Sequence, residues 1–390
     1  MNAHSPRLTA CAAWLCLLAG SAAAATVTTV DGKSFDGPIS ALTQHEVRVT
    51  TPDGGATVPA EDILSIDLRP VQRPAEAHAA TLRSGDVVVG TVAGGSDKAV
   101  RIASASLGEI EVPISDVARL QLEPSDEPAP PDAPREKDEL TLRNGDSLPG
   151  VVAQFDKETL TFDSSLGKVP VPFNRIRSVA FAQVGQRYRE PDAFLLLLTC
   201  VDGSRLTATD VELKGESLAV RTTLGRTLEL PLAQVSAVAG KNGRLVYLSD
   251  MEPADAKQTP MFDEQPWPWR RDRSVDGNPI TLGGKTFAKG LGVHSRCELT
   301  YSLDGKFRRF LSEIGIDDEA EGGNVEVRVE VDAKQVFPAA GTKKLVSSHD
   351  GPVPVDVDVS GGKRLTLIVD FGERLHVNDH ADWANARLVR

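Results

Sequence analysis

The sequence predicts an all-β chain: four small barrel repeats of SH3-like or Sm-like type, followed by a β-sandwich of jelly-roll type. Three observations carry this. A pattern of short strands recurs four times with nearly constant spacing. The last third is a series of period-two apolar runs separated by glycine turns. No amphipathic helical pattern interrupts either part.

The first element is an expected export signal over residues 1–25. Arg7 supplies a weak positive start, Leu8 to Leu18 is apolar, and Ala22-Ala23-Ala24 fits a small-x-small cleavage pattern. The apolar run is too short to span a bilayer. The chain is therefore expected to be exported, to the periplasm or the medium. It contains no later apolar stretch of transmembrane length, and Cys11 and Cys16 lack a lipobox.

The repeats follow. Each opens with a strand and a turn: Asp31-Gly32-Lys33, Ser84-Gly85-Asp86, Asn144-Gly145-Asp146 and Asp202-Gly203-Ser204. Each reaches a later proline, Pro59, Pro113, Pro172 or Pro231, after 27 or 28 residues. Between them lie an alternating strand and a second turn glycine: Gly54, Gly108, Gly167 and Gly225. Asp-Gly and Asn-Gly between alternating strands are strong hairpin signals. After each proline there is room for one 3₁₀ turn before a closing apolar pair: Ile63/Ile66, Val117/Leu120, Ile176/Val179 and Val235/Val238. Four or five short strands in about 45 residues fit a small, strongly bent barrel. The expected units are 26–70, 80–122, 140–182 and 194–241. Residues 71–79 read as a linker. Residues 123–139, rich in Pro, Asp and Glu, are expected to be extended and to act as a flexible joint. Residues 183–192 read as a connector or short helix.

The final unit, 245–390, is expected to form the sandwich. Its strands read as Ile280 to Leu282, Cys297 to Leu303, Arg308 to Ile316, Val325 to Val331, Lys334 to Phe337, Val353 to Val359, Arg364 to Asp370 and Ala386 to Val389. Three polar, glycine-rich or aromatic segments punctuate them: 283–295, 314–323 and 379–388. Such groups gathered at one rim are what a binding module needs. The pair Trp267 and Trp269, around Pro268, reads as a clamp where the chain enters this unit.

Composition narrows the partners. The formal net charge is −12, with 25% charged residues and no basic stripe, which argues against nucleic acid. After removal of the signal, Cys200 and Cys297 remain, far apart, with no CxxC motif; they read as buried small hydrophobes.

No GxSxG, P-loop, Rossmann or HExxH pattern is present. Asp317 and Asp318 are adjacent, so on a strand their side chains would diverge. A glycosidase pair must instead face each other across a bond. With Glu319 and Glu321 they form either a solvated acidic turn or an oxygen-rich loop for a hard cation such as calcium. No cofactor is required by the sequence. His376 and His380 are four apart, a zinc spacing only on a helix, and this stretch reads as loop.

The final unit resembles the NPCBM family of carbohydrate-binding modules. The likeness runs in order through Val246-Tyr247-Leu248-Ser249-Asp250, Gly283 to Phe287, Lys289 to His294, Gly315 to Asp318, Gly323-Asn324-Val325 and Asp379 to Ala386. The resemblance implies a galactose-binding-like jelly roll and sugar binding, without naming the sugar. The repeats are similar to short β-repeats that precede such modules in exported bacterial proteins. The residue chemistry gives its own candidates. Sugars present C–H faces and vicinal hydroxyls, so an aromatic face with polar groups beside it suits them. Trp383 with His380, Asp382 and Asn385, together with His294, Asp317 and Asp318, is the expected carbohydrate site. Trp383 reads equally as a core-edge tryptophan, and His294 as a structural histidine.

The expected function is an exported, non-catalytic protein that binds a glycan or polysaccharide, with the repeats as spacers or assembly modules for other exported proteins. Two alternatives stay open: an interaction scaffold without sugar affinity, and an accessory subunit of a glycan-degrading system.

Overall fold

A computed structural model describes residues 24–124, 135–165, 167–183, 188–261, 267–373 and 375–390. The expected signal lies outside the described residues except for its last two. Most of the expected joint, residues 125–134, lies outside them as well. Among the described residues no helix is long and apolar enough to cross a membrane.

The all-β expectation is borne out. In each repeat five antiparallel strands pair in the order last, first, second, third, fourth. The first strands are Ala24–Thr29, His78–Leu82, Asp138–Leu142 and Leu195–Cys200. The last are Ile63–Asp67, Val117–Gln121, Ile176–Ala180 and Val235–Lys241. A 3₁₀ turn follows each of the four prolines: Ala60–Asp62, Ile114–Asp116, Phe173–Arg175 and Leu232–Gln234. The opening-turn glycines have φ between 81° and 95°, a backbone region that only glycine enters without steric cost. The second strand of every copy carries a register shift at its middle. Such a bulge bends a strand and lets a short meander close on itself.

The repeats are not beads on a jointed arm. Repeats 1 and 4 pair through their last strands, with Ile66 opposite Val238. Repeats 2 and 3 pair in the same way, with Leu120 opposite Val179. Each of these four residues stands seven places after its repeat's proline, so the two pairings share one register. Each pair also shares a core. One runs from Val27 and Ile66 to Leu198 and Val238; the other runs from Leu82 and Leu120 to Phe155 and Val179. The acidic linker therefore joins two repeats that are packed together, and the expectation of a free joint there is corrected. Polar contacts tie repeat 2 to repeat 4. The buried Asp202 accepts from the Ser104 hydroxyl at 2.5 Å, the Ser106 amide at 3.0 Å and the Ser204 amide at 2.9 Å. Asp86 accepts from the Thr207 amide at 2.8 Å. The connector at 71–79 is shorter than expected, because the next strand begins at His78.

The final unit is a two-sheet sandwich. One sheet runs Arg270–Arg271, Gly290–His294, His380–Val389, Arg309–Ile316, Val353–Asp358, with Leu245–Tyr247 paired to the far half of His380–Val389. The other runs Asp255–Gln258, Cys297–Ser302, Arg364–Phe371, Asn324–Val331, Lys334–Phe337, with Lys344–Ser347 also on Asn324–Val331. Leu291, Val293, Ile314 and Trp383 from the first sheet meet Leu299, Tyr301, Val327 and Leu367 from the second. The two cysteines are buried in separate cores, and burial pushes both thiols up to about 12.

Two segments expected as rim loops are strands. Gly290–His294 is entirely buried. Its glycines admit a covering segment: a Cβ on Gly292 would meet the Arg273 carbonyl oxygen at 2.3 Å. The last strand starts at His380, six residues earlier than its apolar ending indicates. Along it, side chains alternate between the two faces of the sheet. Ala381 and Trp383 enter the core, while His380 and Asp382 take the outer face.

The sandwich is seated on repeat 1. Val30 and Leu64 pack with Leu245, Leu311 and Val389. The Arg244 guanidinium donates to Asp62 at 2.6 Å.

Candidate binding site

At the opposite end of the last strand, three histidines and a tryptophan meet. Trp267 is 42% exposed. Its ring stacks on His294, with centroids 5.4 Å apart and planes 12° from parallel. The His380 ring lies 5.3 Å from Trp267 and 5.6 Å from His294. The His376 ring stands edge-on to His294 at 5.9 Å. On either side of His376, Leu375 and Val377 are exposed large apolar side chains. The result is an apolar, aromatic edge with imidazole nitrogens set into it.

Each ring has a local reason for its place. The strand Gly290–His294 delivers His294, whose Nδ1 donates to the Ser295 carbonyl at 2.9 Å. That bond fixes the tautomer and leaves Nε2 as an acceptor. Burial, followed by the neighbouring His380 and His376, lowers the His294 pKa; only the Ser295 bond and Asp276 oppose this. The ring is therefore neutral at pH 7. The loop carrying His376 is clamped by Asp379, which accepts from the Ser295 hydroxyl at 2.6 Å and the Asn324 amide at 3.2 Å. Burial pushes the Asp379 carboxyl up to about 6 against those two bonds. The loop approaches closely because residue 323 is glycine: a Cβ there would lie 1.8 Å from the Asn378 carbonyl oxygen.

His380 opens the last strand. Its Nδ1 lies 3.4 Å from Asp276 Oδ2 and 3.7 Å from Glu319 Oε1. The other Glu319 oxygen accepts from the Asn278 amide at 2.6 Å.

The structure sorts the expected carbohydrate residues. His294 and His380 come together. Trp383 is a correction: at 1% exposure it packs in the core, 6.4 Å from Phe310 between ring centroids, so no sugar can reach its face. Asp317 and Asp318 are also corrected, because their carboxylates are spent on backbone amides. Asp317 accepts from Thr281 at 2.9 Å and Glu319 at 3.0 Å; Asp318 accepts from Gly283 at 2.8 Å and Gly284 at 2.7 Å. These bonds hold the hairpin Ile280–Phe287 against the sheet, so the pair is neither a freely solvated acidic turn nor a free oxygen-rich loop, the two alternatives open in the sequence. Asp382 is 1% exposed and out of reach of a ligand in solvent. Asn385 sits five residues along the strand from His380, at positive φ, with its amide on the Lys289 carbonyl.

Sequence reasoning missed Trp267, assigned to an entry clamp, and Asp276, which lies in an unremarkable turn. An open cleft of about 800 Å³ is lined by Asp318, Glu321, Ser348 and His349. It offers no tryptophan or tyrosine face.

Comparison with known proteins finds a family match for the last unit. Residues 244–389 match the NPCBM/NEW2 domain model, which bears out the resemblance seen in the sequence. An Akkermansia muciniphila protein, alpha-1,3-galactosidase B, is 32% identical over 119 residues, 30% of this chain and 15% of the relative. A Renibacterium salmoninarum protein named for endo-alpha-N-acetylgalactosaminidase activity is 30% identical over 115 residues, 29% of this chain and 7% of the relative. The chain thus matches only a small part of these curated relatives. Among solved structures, a CBM51 from Clostridium perfringens GH95 in complex with methyl-galactose is 29% identical. It covers 37% of this chain and 99% of its own, with a TM-score of 0.33. Tandem CBM51 modules of a Streptococcus pneumoniae family 98 glycoside hydrolase are 15% identical, covering 93% of this chain and 87% of theirs, with a TM-score of 0.32.

Proposed function

We propose, from the premise that residues 244–389 form an NPCBM/NEW2 domain, that this chain binds a glycan at the Trp267, His294, His376 and His380 edge and performs no chemistry on it. The observation that carries the reading is the exposed indole of Trp267, braced from behind by His294. A pyranose ring would lay its C–H face on the indole and on the apolar edge of Leu375 and Val377. Neutral His294 would accept a hydroxyl proton at Nε2. Bracing matters because a ring already held in place loses little entropy on binding.

Binding rather than hydrolysis is supported by the fate of the acidic pair. Asp317 and Asp318 are both occupied by amide donors, so neither is placed to serve as acid, base or nucleophile. Both curated relatives are named for galactose-configured linkages, which makes galactose- and N-acetylgalactosamine-terminated glycans the first to test. The repeats would serve as the mount on which the module is carried in an exported protein. Attachment to a glycan-degrading system is the setting those relatives favour.

The test is a glycan array probed with the full chain, followed by calorimetric titration of any glycan retained. Saturable binding that is lost in Trp267→Ala supports the proposal. A chain that binds no glycan, or whose binding is unchanged in that variant, overturns it. Turnover of any glycan by the purified chain overturns its non-catalytic half.

A further inference from the structure

The carboxylates behind this edge lack a cation. Asp276, Asp317, Asp318, Glu319 and Asp382 lie around the start of the last strand. Among the described residues none of the five is ion-paired with a lysine or arginine; Asp276 and Glu319 both face the His380 imidazole. The separations of 3.4 and 3.7 Å exceed the usual N–H···O range, and the buried His380 Nδ1 has no hydrogen-bond partner.

A second feature points the same way. Asp382 is 1% exposed and lies two residues along from His380 on the same face of the strand, so its carboxyl is aimed into this cluster. Neither of its oxygens receives a hydrogen bond. Buried polar groups in native proteins are normally satisfied, and leaving one unpaired is costly.

We propose that Asp276 Oδ2, Glu319 Oε1 and His380 Nδ1 bind a divalent metal ion of the zinc and manganese class. The three atoms come from three separate segments and lie within 4.8 Å of one another. A metal held about 2.1 Å from each would set them roughly 3.0–3.4 Å apart; the 3.4 and 3.7 Å separations from His380 are close to this, and the two carboxylates, within 4.8 Å, would draw together around the ion. The Asn278 bond to the second Glu319 oxygen is the outer partner that orients such a ligand. An imidazole with two carboxylates suits zinc or manganese, whereas calcium prefers six to eight oxygens. Three protein ligands leave one position of a tetrahedral zinc open. The inference is independent of the glycan reading, because metal uptake is measured directly.

The experiment uses the full chain stripped with a chelator, dialysed, and titrated in turn with zinc, manganese and calcium chloride by calorimetry, with elemental analysis of the loaded protein. The expected result is one zinc or manganese ion per chain. Glu319→Gln and Asp276→Asn should each weaken uptake at least about 10–100-fold, while His376→Ala keeps it. Urea unfolding of each variant checks the fold, and zinc should raise the midpoint of the unaltered chain but not of Glu319→Gln. Absence of saturable uptake overturns the site. So does equal uptake by Glu319→Gln, or a loss confined to His376→Ala.

Discussion

Replacing Trp267 and Trp383 in turn should separate binding from folding. Trp267→Ala removes an indole that is 42% exposed and touches His294 and His380 by its ring. Aromatic pairs contribute about 0.5–1.5 kcal/mol each, and exposure places this case near the low end, so a stability loss of about 1–2 kcal/mol is expected. Trp383→Ala empties a site that is 1% exposed, between the sheets and beside Phe310. Core truncations of this size cost about 3–5 kcal/mol. The order reverses for ligand. A tryptophan at the centre of a contact loses at least about 2 kcal/mol on truncation, which is roughly 30-fold in Kd. Urea unfolding gives the stability ranking, and calorimetry with the glycan found on the array gives the affinity ranking. If Trp383→Ala stays as stable as Trp267→Ala but loses the glycan, the assignment of the two indoles is wrong.

Other consequences concern the frame around the site. Asp202→Ala would leave the Ser104 hydroxyl and the Ser106 and Ser204 amides without an acceptor; at about 1–3 kcal/mol for each buried orphan, a loss of about 3 kcal/mol or more is expected in urea unfolding. Burial alone would raise the Asp202 pKa, but bonds from Ser104, Ser204 and Ser106 outweigh it and hold the carboxyl below its usual value of 3.8. Its stabilisation is therefore present above pH 3.8 and is lost as pH falls from there through the lowered pKa, so the pH dependence of unfolding should flatten in that window in Asp202→Asn. Gly323→Ala should cost about 1–3 kcal/mol and weaken glycan binding, because the new Cβ pushes against the Asn378 carbonyl and displaces the His376 loop. Cys200 and Cys297, with thiols pushed up to about 12, should stay unalkylated by iodoacetamide at pH 8 in the folded chain and react in urea, as read by peptide mass.

The sequence made the repeat legible but not the way copies pair. Turn glycines such as Gly32 and Gly85 and prolines such as Pro59 and Pro113 are dictated by backbone geometry within one copy, so they recur at fixed spacing. The pairing of last strands uses Ile66, Leu120, Val179 and Val238, which have the same character in all four copies. Any two copies could meet equally well by that pattern. The choice of 1 with 4 and 2 with 3 rests on contacts distant in sequence, such as Arg69 with Ala233 and Arg119 with Ser178. At the site, His294 and His380 were legible as polar groups beside glycine or at a strand end. Of the two readings open for Trp383 the core one holds; Asp379 and His380 give its segment the look of a loop and obscure this. The alternation Ala381-Asp382-Trp383 carries the strand signal that would have placed it inside. Trp267 was missed because its exposure depends on where His294 lies, 27 residues onward.

The seating of the sandwich gives the repeats a physical role. Val389, at the end of the last strand, packs with Val30 of repeat 1, and His380, at its start, belongs to the aromatic edge. Nine residue steps separate them. At about 3.3 Å per residue the aromatic edge stands about 30 Å from the repeat block. The neighbouring strand Arg309–Ile316 lies antiparallel to it and spans the same distance, with Leu311 at the block and Ile316 beside the hairpin that Asp317 and Asp318 hold. Two hydrogen-bonded strands with a shared core form a stiff connection. Restraint of this kind lowers the entropic cost when a second module on the same chain or assembly engages the same polymer. Cutting it is a direct check: Leu311→Asp with Val389→Asp should free the sandwich from repeat 1, leave affinity for a short glycan unchanged, and increase the maximum dimension seen by small-angle scattering. An unchanged scattering profile would mean that the contact does not set the arrangement in solution.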